Sequence, residues 1–178
     1  MKEHLKPLIT EDEIRIRNQK VVHDIVTDID GSELVVIGLL KGSFMFMADL
    51  VRLLHLHDMR LLIDFMIVSS YGAQTRSSGE VQILRDVSVP IANKKVLLID
   101  DILDSGRTLS TVSEYLTKYN PDLMKTCVLL DKPERREIPF KADFVGFEIP
   151  NEFVVGYGLD FDGRYRELPS IFTIDFVE

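Results

Sequence analysis

Short runs of apolar residues are spread along the chain, and their composition predicts β-strands. Most of these runs are continuous, as expected for strands of a sheet that is covered on both faces. The run 81–84 follows a polar, glycine-containing stretch and can form the second strand of a hairpin. The predicted strands are 34–39, 61–68, 81–84, 96–100, 124–130, 144–148 and 153–155.

Apolar residues at helical spacing separate several of these strands. Thr10 and Glu13 form a capping-box sequence at the start of the first helix, and Ser43 can cap the second. Because strands and helices alternate through the middle of the chain, the pattern predicts an α/β domain with a mainly parallel sheet. The predicted helices are 11–29, 44–54 and 108–119.

Composition restricts the class of protein further. The chain has 178 residues, 46% of them hydrophobic, which suits one domain with a substantial core. No apolar run reaches the roughly 18 residues of a membrane span, and the N-terminal sequence lacks an apolar signal core, so we expect a cytosolic protein without membrane association.

Cys127 is the only cysteine and lies in an apolar run, so we expect a buried thiol and no disulfide. The net charge of −8 disfavours nucleic acid as a partner.

The stretch 96–109, VLLIDDILDSGRTL, has the features of a site for phosphate and ribose. An apolar strand runs into two adjacent carboxylates, Asp100 and Asp101, which suit Mg²⁺ or sugar hydroxyl groups. The loop before the next helix can hold a phosphate through its free backbone N–H groups. A buried strand with a solvated turn is the alternative, but the order of strand, acid pair, glycine loop and helix favours the phosphate site. The loop consists of Asp104, Ser105, Gly106, Arg107 and Thr108.

This stretch closely resembles the signature of the type I phosphoribosyltransferases, which use phosphoribosyl pyrophosphate (PRPP). The resemblance implies that Asp100 and Asp101 lie beside the ribose hydroxyls and a Mg²⁺ ion, which Mn²⁺ can replace. It implies that the loop from Asp104 to Thr108 holds the 5′-phosphate.

The same resemblance implies the organisation of the whole chain. We expect a single domain over 1–178, with a mainly parallel sheet flanked by helices over about 30–140. A small hood is expected from 141–178 together with the N-terminal segment.

A second candidate anion site lies between the first predicted strand and its helix. Lys41, Gly42 and Ser43 form a turn at the helix start, although an ordinary strand–helix turn has the same composition. Beside the signature, this turn resembles the pyrophosphate loop of the family. The resemblance implies that Lys41 and Gly42 contact pyrophosphate and that the Leu40–Lys41 peptide bond is cis.

Residues 69–80 are small, polar and glycine-bearing, which predicts a long loop. In the family the corresponding segment is a mobile lid, and the resemblance places Ser70 and Tyr71 at its tip. A plain exposed hairpin is the alternative. A lid would exclude water from a ribosyl group with oxocarbenium character.

Lys132 follows the strand that ends near residue 130, where an exposed lysine is usually only a solvated charge. In the purine salvage members of the family, a lysine at this place reads the base. An ammonium group can only donate hydrogen bonds, so it suits the 6-oxo group of hypoxanthine, guanine or xanthine and not the 6-amino group of adenine.

The stretch 143–168 closely resembles the hood of the hypoxanthine-guanine phosphoribosyltransferases. In that resemblance Phe153 stacks on the purine and the backbone of Val154 reads its exocyclic groups. Asp160 lies near the base and the second Mg²⁺, and Arg166 reaches the pyrophosphate.

Asp104 is the candidate catalytic residue. A carboxylate inside a phosphate loop is electrostatically unfavourable there, so we expect it to face the base. The family assigns this position to N7 of the purine, which loses a proton as N9 attacks PRPP; a loop-capping Asx turn is the alternative. The resemblance thus predicts transfer of the phosphoribosyl group to hypoxanthine or guanine, and xanthine is not excluded.

Two other functions stay open at this point. Some proteins with this fold are transcription regulators that bind PRPP or nucleotides, but they usually lack the aspartate that matches Asp104 and they need a basic face. An enzyme for uracil or adenine is a further possibility, which Lys132 and the pair Phe153 and Val154 oppose. From the family we expect a homodimer or homotetramer.

Overall fold

The computed structural model describes residues 2–30, 33–70 and 81–177. A single turn of 3₁₀-helix, Pro133–Arg135, follows the sixth strand. The elements in chain order are β1 (Lys2–Ile9), α1 (Glu11–Asp28), β2 (Glu33–Leu40), α2 (Phe44–His55), β3 (Arg60–Ser70), β4 (Val81–Arg85), β5 (Lys95–Leu103), α3 (Arg107–Thr117), β6 (Leu123–Asp131), β7 (Phe144–Glu148), β8 (Val154–Val155) and β9 (Ile171–Val177).

The larger sheet has six strands in the order β4-β3-β2-β5-β6-β7. All neighbouring pairs are parallel except β3 and β4, which form the antiparallel hairpin that the sequence predicted. The α/β class with a mainly parallel sheet is therefore confirmed. Because the central strands β2, β5 and β6 are parallel, the loops that follow them meet at one edge of the sheet.

Different helices cover the two faces of this sheet. Val36 and Leu97 belong to a buried cluster with residues of α1 and α2, whereas Val35 and Val96 belong to a second cluster with residues of α3. Both faces of β2 and β5 are thus buried, which is why their sequences are continuously apolar. Cys127 lies in the first cluster as the expected buried thiol, and burial raises its pKa.

The two ends of the chain form a smaller antiparallel sheet in the order β1-β9-β8. Leu5 pairs with Ile174, and Val155 pairs with Phe172. The sequence pattern predicted neither β1 nor β9 as a strand. Each of them depends on a partner more than 150 residues away, because Lys2 pairs with Val177 and Ile9 with Ile171.

Some local boundaries differ from the predictions. β5 was expected to end at Asp100 but continues to Leu103, because β6 continues beside it and pairs with it as far as Asp131. Ser43 precedes α2 but does not cap it, since its hydroxyl donates to the carbonyl oxygen of Leu39 at 2.6 Å instead. The capping box of α1 is present as predicted, with the amide of Thr10 donating to Oε2 of Glu13 at 2.8 Å.

Among the described residues, no helix combines the length and apolar character that crossing a bilayer requires.

Candidate active site

A cavity of about 730 Å³ lies at the edge of the larger sheet where the central parallel strands end. Its walls come from the loop after β2, from β5 with the loop that follows it, and from the segments after β6 and β8. The predicted site residues that line it are Lys41, Gly42, Asp100, Asp101, Asp104, Ser105, Gly106, Arg107, Thr108, Asp160 and Arg166. The fold thus brings the candidate phosphate loop, acid pair and pyrophosphate loop to one space.

The loop between β5 and α3 has the geometry of an anion cradle. Gly106 is the N-cap of α3 and has a left-handed backbone with φ of 86°, which glycine adopts without strain. The first helical bond runs from the amide of Ser110 to the carbonyl oxygen of Gly106, so the amides before Ser110 are not used by the helix. A phosphate in the cavity would meet these N–H groups and the positive end of the helix.

The acid pair lies within β5 and is poorly solvated. Asp100 is 8% exposed and accepts a hydrogen bond from the amide of Asp101 at 3.0 Å. Burial raises the pKa of Asp100 well above its ordinary range, and the adjacent charge of Asp101 adds to the effect. Burial raises the pKa of Asp101 as well, while the positive charge of Arg166 acts in the opposite direction. Two carboxylates in such surroundings favour a cation or hydroxyl donors as partners.

The loop after β2 packs directly on the acid pair. The Leu40–Lys41 peptide bond is cis, as predicted. A Cβ atom on Gly42 would lie 1.5 Å from Oδ2 of Asp101, so only glycine allows this approach. A Cβ atom on Gly158 would in turn lie 2.1 Å from the carbonyl oxygen of Gly42. The loop after β2 therefore packs closely against both the segment after β8 and the acid pair.

Arg166 completes the same wall. One of its nitrogens, Nη1, donates to the carbonyl oxygen of Gly158 at 2.6 Å, and Nη2 lies 2.6 Å from Oδ1 of Asp160. The side chain of Arg166 is 24% exposed and borders the cavity. It is therefore available to a further anion while Gly158 and Asp160 hold it in place.

Asp104 borders the same cavity, and its carboxylate has a partner that the sequence pattern did not predict. Oδ1 of Asp104 lies 3.1 Å from Nε of Arg135, which belongs to the 3₁₀ turn after β6. Arg107 is likewise paired, with Glu137 at 2.8 Å. The only signal for these partners in the sequence is the dense charge of the stretch 134–137, which is separated by three residues from the predicted strand 124–130.

Of the residues predicted to contact the base, Asp160 lines this cavity, whereas Lys132, Phe153 and Val154 do not. Lys132 is 7% exposed, and its charge interacts with those of Asp104 and Glu152. Burial lowers the pKa of Lys132, and the charge of Asp104 opposes this shift. The amide of Lys132 donates to the carbonyl oxygen of Leu103, the residue before Asp104, at 3.0 Å. This proximity is compatible with a ligand that contacts both Lys132 and Asp104.

Phe153 and Val154 lie in the smaller sheet. Phe153 is 54% exposed and packs edge-on against Phe161, with ring centroids 5.8 Å apart. Val154 is buried and pairs with Thr173 across the sheet. The carbonyl oxygen of Phe153 accepts from the amide of Ile174 at 3.3 Å. An exposed ring beside a main-chain segment is a surface on which a flat base could stack.

The cavity offers a small number of carboxylate oxygens that could bind a hard cation. In the part of the chain that the structure describes, no three acidic, histidine or cysteine side chains converge on one point. Mg²⁺ commonly binds to one or two carboxylates and takes its other ligands from water and substrate phosphates. The pair Asp100 and Asp101 fits that pattern, and Asp160 borders the same cavity.

The predicted lid falls mostly outside the described residues. Ser70 is the last residue of β3 and pairs with Val81, and Tyr71 lies outside the described ranges.

Comparison with known proteins agrees with this site. The model of the phosphoribosyl transferase domain family matches residues 10–162. The hypoxanthine-guanine phosphoribosyltransferase of Aquifex aeolicus is 46% identical over 172 residues, which cover 96% of this chain and 95% of that protein. The hypoxanthine phosphoribosyltransferase of Salmonella typhimurium is 47% identical over 174 residues, covering 96% of each chain.

Solved structures give the same result. A crystal structure of a hypoxanthine-guanine phosphoribosyltransferase from Bacillus anthracis, with HEPES in its active site, has a TM-score of 0.89 and 43% identity, covering 96% of this chain and 99% of that one. A ternary substrate complex of a mutant hypoxanthine phosphoribosyltransferase from Trypanosoma cruzi has a TM-score of 0.89 and 44% identity, covering 96% and 95%. These likenesses confirm the fold class that the signature predicted. The chain belongs to the phosphoribosyl transferase domain family.

Proposed function

We propose that this protein transfers the 5-phosphoribosyl group from PRPP to N9 of hypoxanthine or guanine. The products are IMP or GMP and pyrophosphate. The main support for the proposal is that a helix-start phosphate loop, a buried acid pair and a second anion loop all line one cavity of about 730 Å³. PRPP is a ligand with a phosphate, a ribose and a diphosphate, so it matches these three parts in order. The names of the similar proteins supply the purine.

The chain's own residues account for the binding of PRPP. The amides around Gly106 and the start of α3 hold the 5′-phosphate. Asp100 and Asp101 accept hydrogen bonds from the ribose hydroxyls. Lys41 and Arg166 line the same cavity, where they can bind the diphosphate and stabilise its charge as it leaves.

The transfer step forms the bond between N9 of the purine and C1′ of the ribose as the bond from C1′ to the pyrophosphate oxygen breaks. N7 of the purine loses a proton in the same process, and the carboxylate of Asp104 accepts it. The side chain of Asp104 is 40% exposed and its charge interacts with that of buried Lys132, so a base held by Lys132 would have its imidazole edge near this carboxylate.

Lys132 sets the class of base in this account. Its ammonium donates to a 6-oxo group and has no acceptor for the 6-amino group of adenine. Phe153 provides the stacking surface, and the main chain at Val154 reads the exocyclic groups. Xanthine carries the same 6-oxo group, so it stays among the proposed substrates.

The proposed cofactor is Mg²⁺, with Mn²⁺ as a substitute. When bound, the cation neutralises diphosphate charge and so promotes departure of pyrophosphate. Asp100, Asp101 and Asp160 are the residues that would hold it, together with oxygens of PRPP.

Four further features are part of the proposal. The protein is a homodimer or homotetramer in the cytoplasm. It does not bind nucleic acid. Ser70 and Tyr71 belong to a lid over 69–80 that excludes water. The core of the domain spans about 30–140, and the hood spans 141–178 with the N-terminal segment.

Replacement of Asp104 by Asn tests the proposed chemistry. The change is nearly isosteric, so the fold and the Kd for PRPP should be retained, while kcat with hypoxanthine should fall by about 10²–10⁴-fold because a general base is lost. Asp12→Asn is the matched control, since Asp12 is an exposed aspartate on α1 paired only with Arg15. A loss of less than threefold in kcat for Asp104→Asn would refute the role of proton acceptor.

A further inference from the structure

Arg135 has no role in the function proposed above, yet it lines the same cavity. Its Nε atom lies 3.1 Å from Oδ1 of Asp104, the proposed proton acceptor. The two side chains are 48% and 40% exposed. An ion pair this exposed is weak, on the order of 0–1 kcal/mol, so a better partner for either group can displace it.

A phosphate in the loop would be such a partner. The two arginines that line the phosphate side of the cavity, Arg107 and Arg135, are both paired with carboxylates, Glu137 and Asp104. These four charges cancel, and a 5′-phosphate would add about two negative charges. The planar guanidinium binds phosphate with two parallel hydrogen bonds, which makes phosphate a stronger partner than a single carboxylate oxygen.

The backbone that carries Arg135 is already held against the loop. The amides of Glu137 and Ile138 both donate to the carbonyl oxygen of Ser105 at 3.0 Å. Arg136 donates through Nη1 to the carbonyl oxygen of Leu103 at 3.1 Å and pairs with Asp131 through Nη2. Arg136 is therefore fixed, whereas the side chain of Arg135 is held by an exposed ion pair with Asp104.

Resting on the function proposed above, we propose that Arg135 is a positioning residue that exchanges partners during binding. Without substrate, its guanidinium neutralises Asp104. When the 5′-phosphate of PRPP enters the loop, the guanidinium moves to the phosphate. The Asp104 carboxylate is then released toward N7 of the purine, with Lys132 as its remaining cationic neighbour. Binding of phosphate in the loop thus frees the Asp104 carboxylate to accept the proton.

The two halves of this exchange predict different kinetic effects. Without Arg135 the phosphate loses a charged partner, so the KM for PRPP should rise. The Asp104 carboxylate, however, would be free from the start, so kcat should change little. If Arg135 only oriented Asp104, its loss would lower kcat and leave the KM for PRPP unchanged.

The test compares Arg135→Met, which keeps the length of the side chain without its charge, with Arg135→Lys, which keeps the charge. We expect the Met variant to raise the KM for PRPP by about 10–100-fold with kcat within threefold, and the Lys variant to recover part of the loss. The Kd for IMP should rise in parallel, while the Kd for inosine, which lacks the phosphate, should not change. Arg15→Met is the control, because Arg15 forms an exposed pair with Asp12 at 3.3 Å on α1, outside the cavity.

Either a wrong kinetic pattern or a wrong binding pattern would overturn the exchange. One is a fall in kcat for Arg135→Met with the KM for PRPP unchanged, which would make Arg135 an orienting partner of Asp104 only. The other is equal loss of affinity for IMP and inosine, or no loss for either. Turnover of hypoxanthine by the unaltered protein in the same assay separates these failures from failure of the proposed function, since its absence would refute the function itself.

Discussion

Replacement of Gly42 by Ala should damage the use of PRPP while leaving the fold intact. The new methyl group would lie 1.5 Å from Oδ2 and 2.4 Å from Cγ of Asp101. Real carbon atoms do not approach this closely, so one of the two groups must move. The backbone of Gly158 packs closely on Gly42, since a Cβ atom added to Gly158 would lie 2.1 Å from the carbonyl oxygen of Gly42. This contact restricts movement of the loop away from Asp101. The Asp101 carboxylate is the mobile partner, and it must rotate away.

The expected loss in kcat/KM follows from the hydrogen bonds that the Asp101 carboxylate would lose. Hydrogen bonds to a charged group contribute about 1.5–3 kcal/mol each, which corresponds to about 10–150-fold in kcat/KM. The cost to the fold should be smaller than the roughly 1–3 kcal/mol of overpacking in a closed core, because the carboxylate borders an open cavity into which it can turn. Its separation from Asp100 should also relieve repulsion between two poorly solvated carboxylates.

The assay is kcat/KM for PRPP with hypoxanthine, measured beside the melting temperature. Gly163→Ala is the control, since Gly163 has a positive φ of 77° but no atom within 4 Å of the position of a Cβ atom. It therefore introduces backbone strain without a collision. We expect Gly42→Ala to lower kcat/KM about 10–150-fold with a small change in melting temperature, and Gly163→Ala to leave kcat/KM unchanged.

Full activity of Gly42→Ala would refute the reasoning, because it would mean that Asp101 tolerates displacement without consequence. Activity and melting temperature that fall together would refute it as well, since the collision would then be absorbed by the fold rather than by the carboxylate.

Three further results are expected. Lys132→Gln should lower kcat/KM for hypoxanthine and guanine together, because a charged donor worth about 1.5–3 kcal/mol is lost; a rise in the KM for PRPP instead would make Lys132 a phosphate ligand. Activity should disappear in excess EDTA and return with Mg²⁺ or Mn²⁺, and undiminished turnover in the chelator would contradict the proposed cation. Burial raises the pKa of Asp64, but hydrogen bonds from Phe65, Ser88 and Val89 outweigh it and leave the pKa lowered. The stabilisation from Asp64 is therefore complete above the unfolded value of about 3.9 and is lost as the pH falls through the folded value. Urea unfolding of Asp64→Asn should show a shallower acid decline, and an unchanged decline would exclude this role.

Those parts of the molecule that local sequence encodes could be predicted. The capping box at Thr10 needs only residues three apart, and the apolar run of β5 with the glycine loop after it lies within 96–109. Motifs of this kind carry their own geometry, since a strand, a left-handed glycine and a helix start suffice to build the phosphate loop.

Contacts between distant segments could not be predicted in the same way. The approach of Gly158 to Gly42 and the pairing of β1 with β9 join residues more than 100 positions apart, and neither segment has a local signature of its partner. The ion pair between Arg135 and Asp104 depends on the parallel pairing of β5 and β6, which brings the ends of both strands together. Resemblance to a family, not residue pattern, suggested Phe153 and Val154, and their roles stay predictions.

The most direct test of the central claim is a stoichiometric assay with the purified protein, PRPP, Mg²⁺ and a single purine base, in which nucleotide and pyrophosphate are both quantified. With hypoxanthine the account predicts equimolar IMP and pyrophosphate, and with adenine it predicts no AMP above the background without enzyme. Failure to form IMP would contradict the proposed transfer. Formation of AMP at a rate comparable to that of IMP would contradict the selection of 6-oxopurines by Lys132.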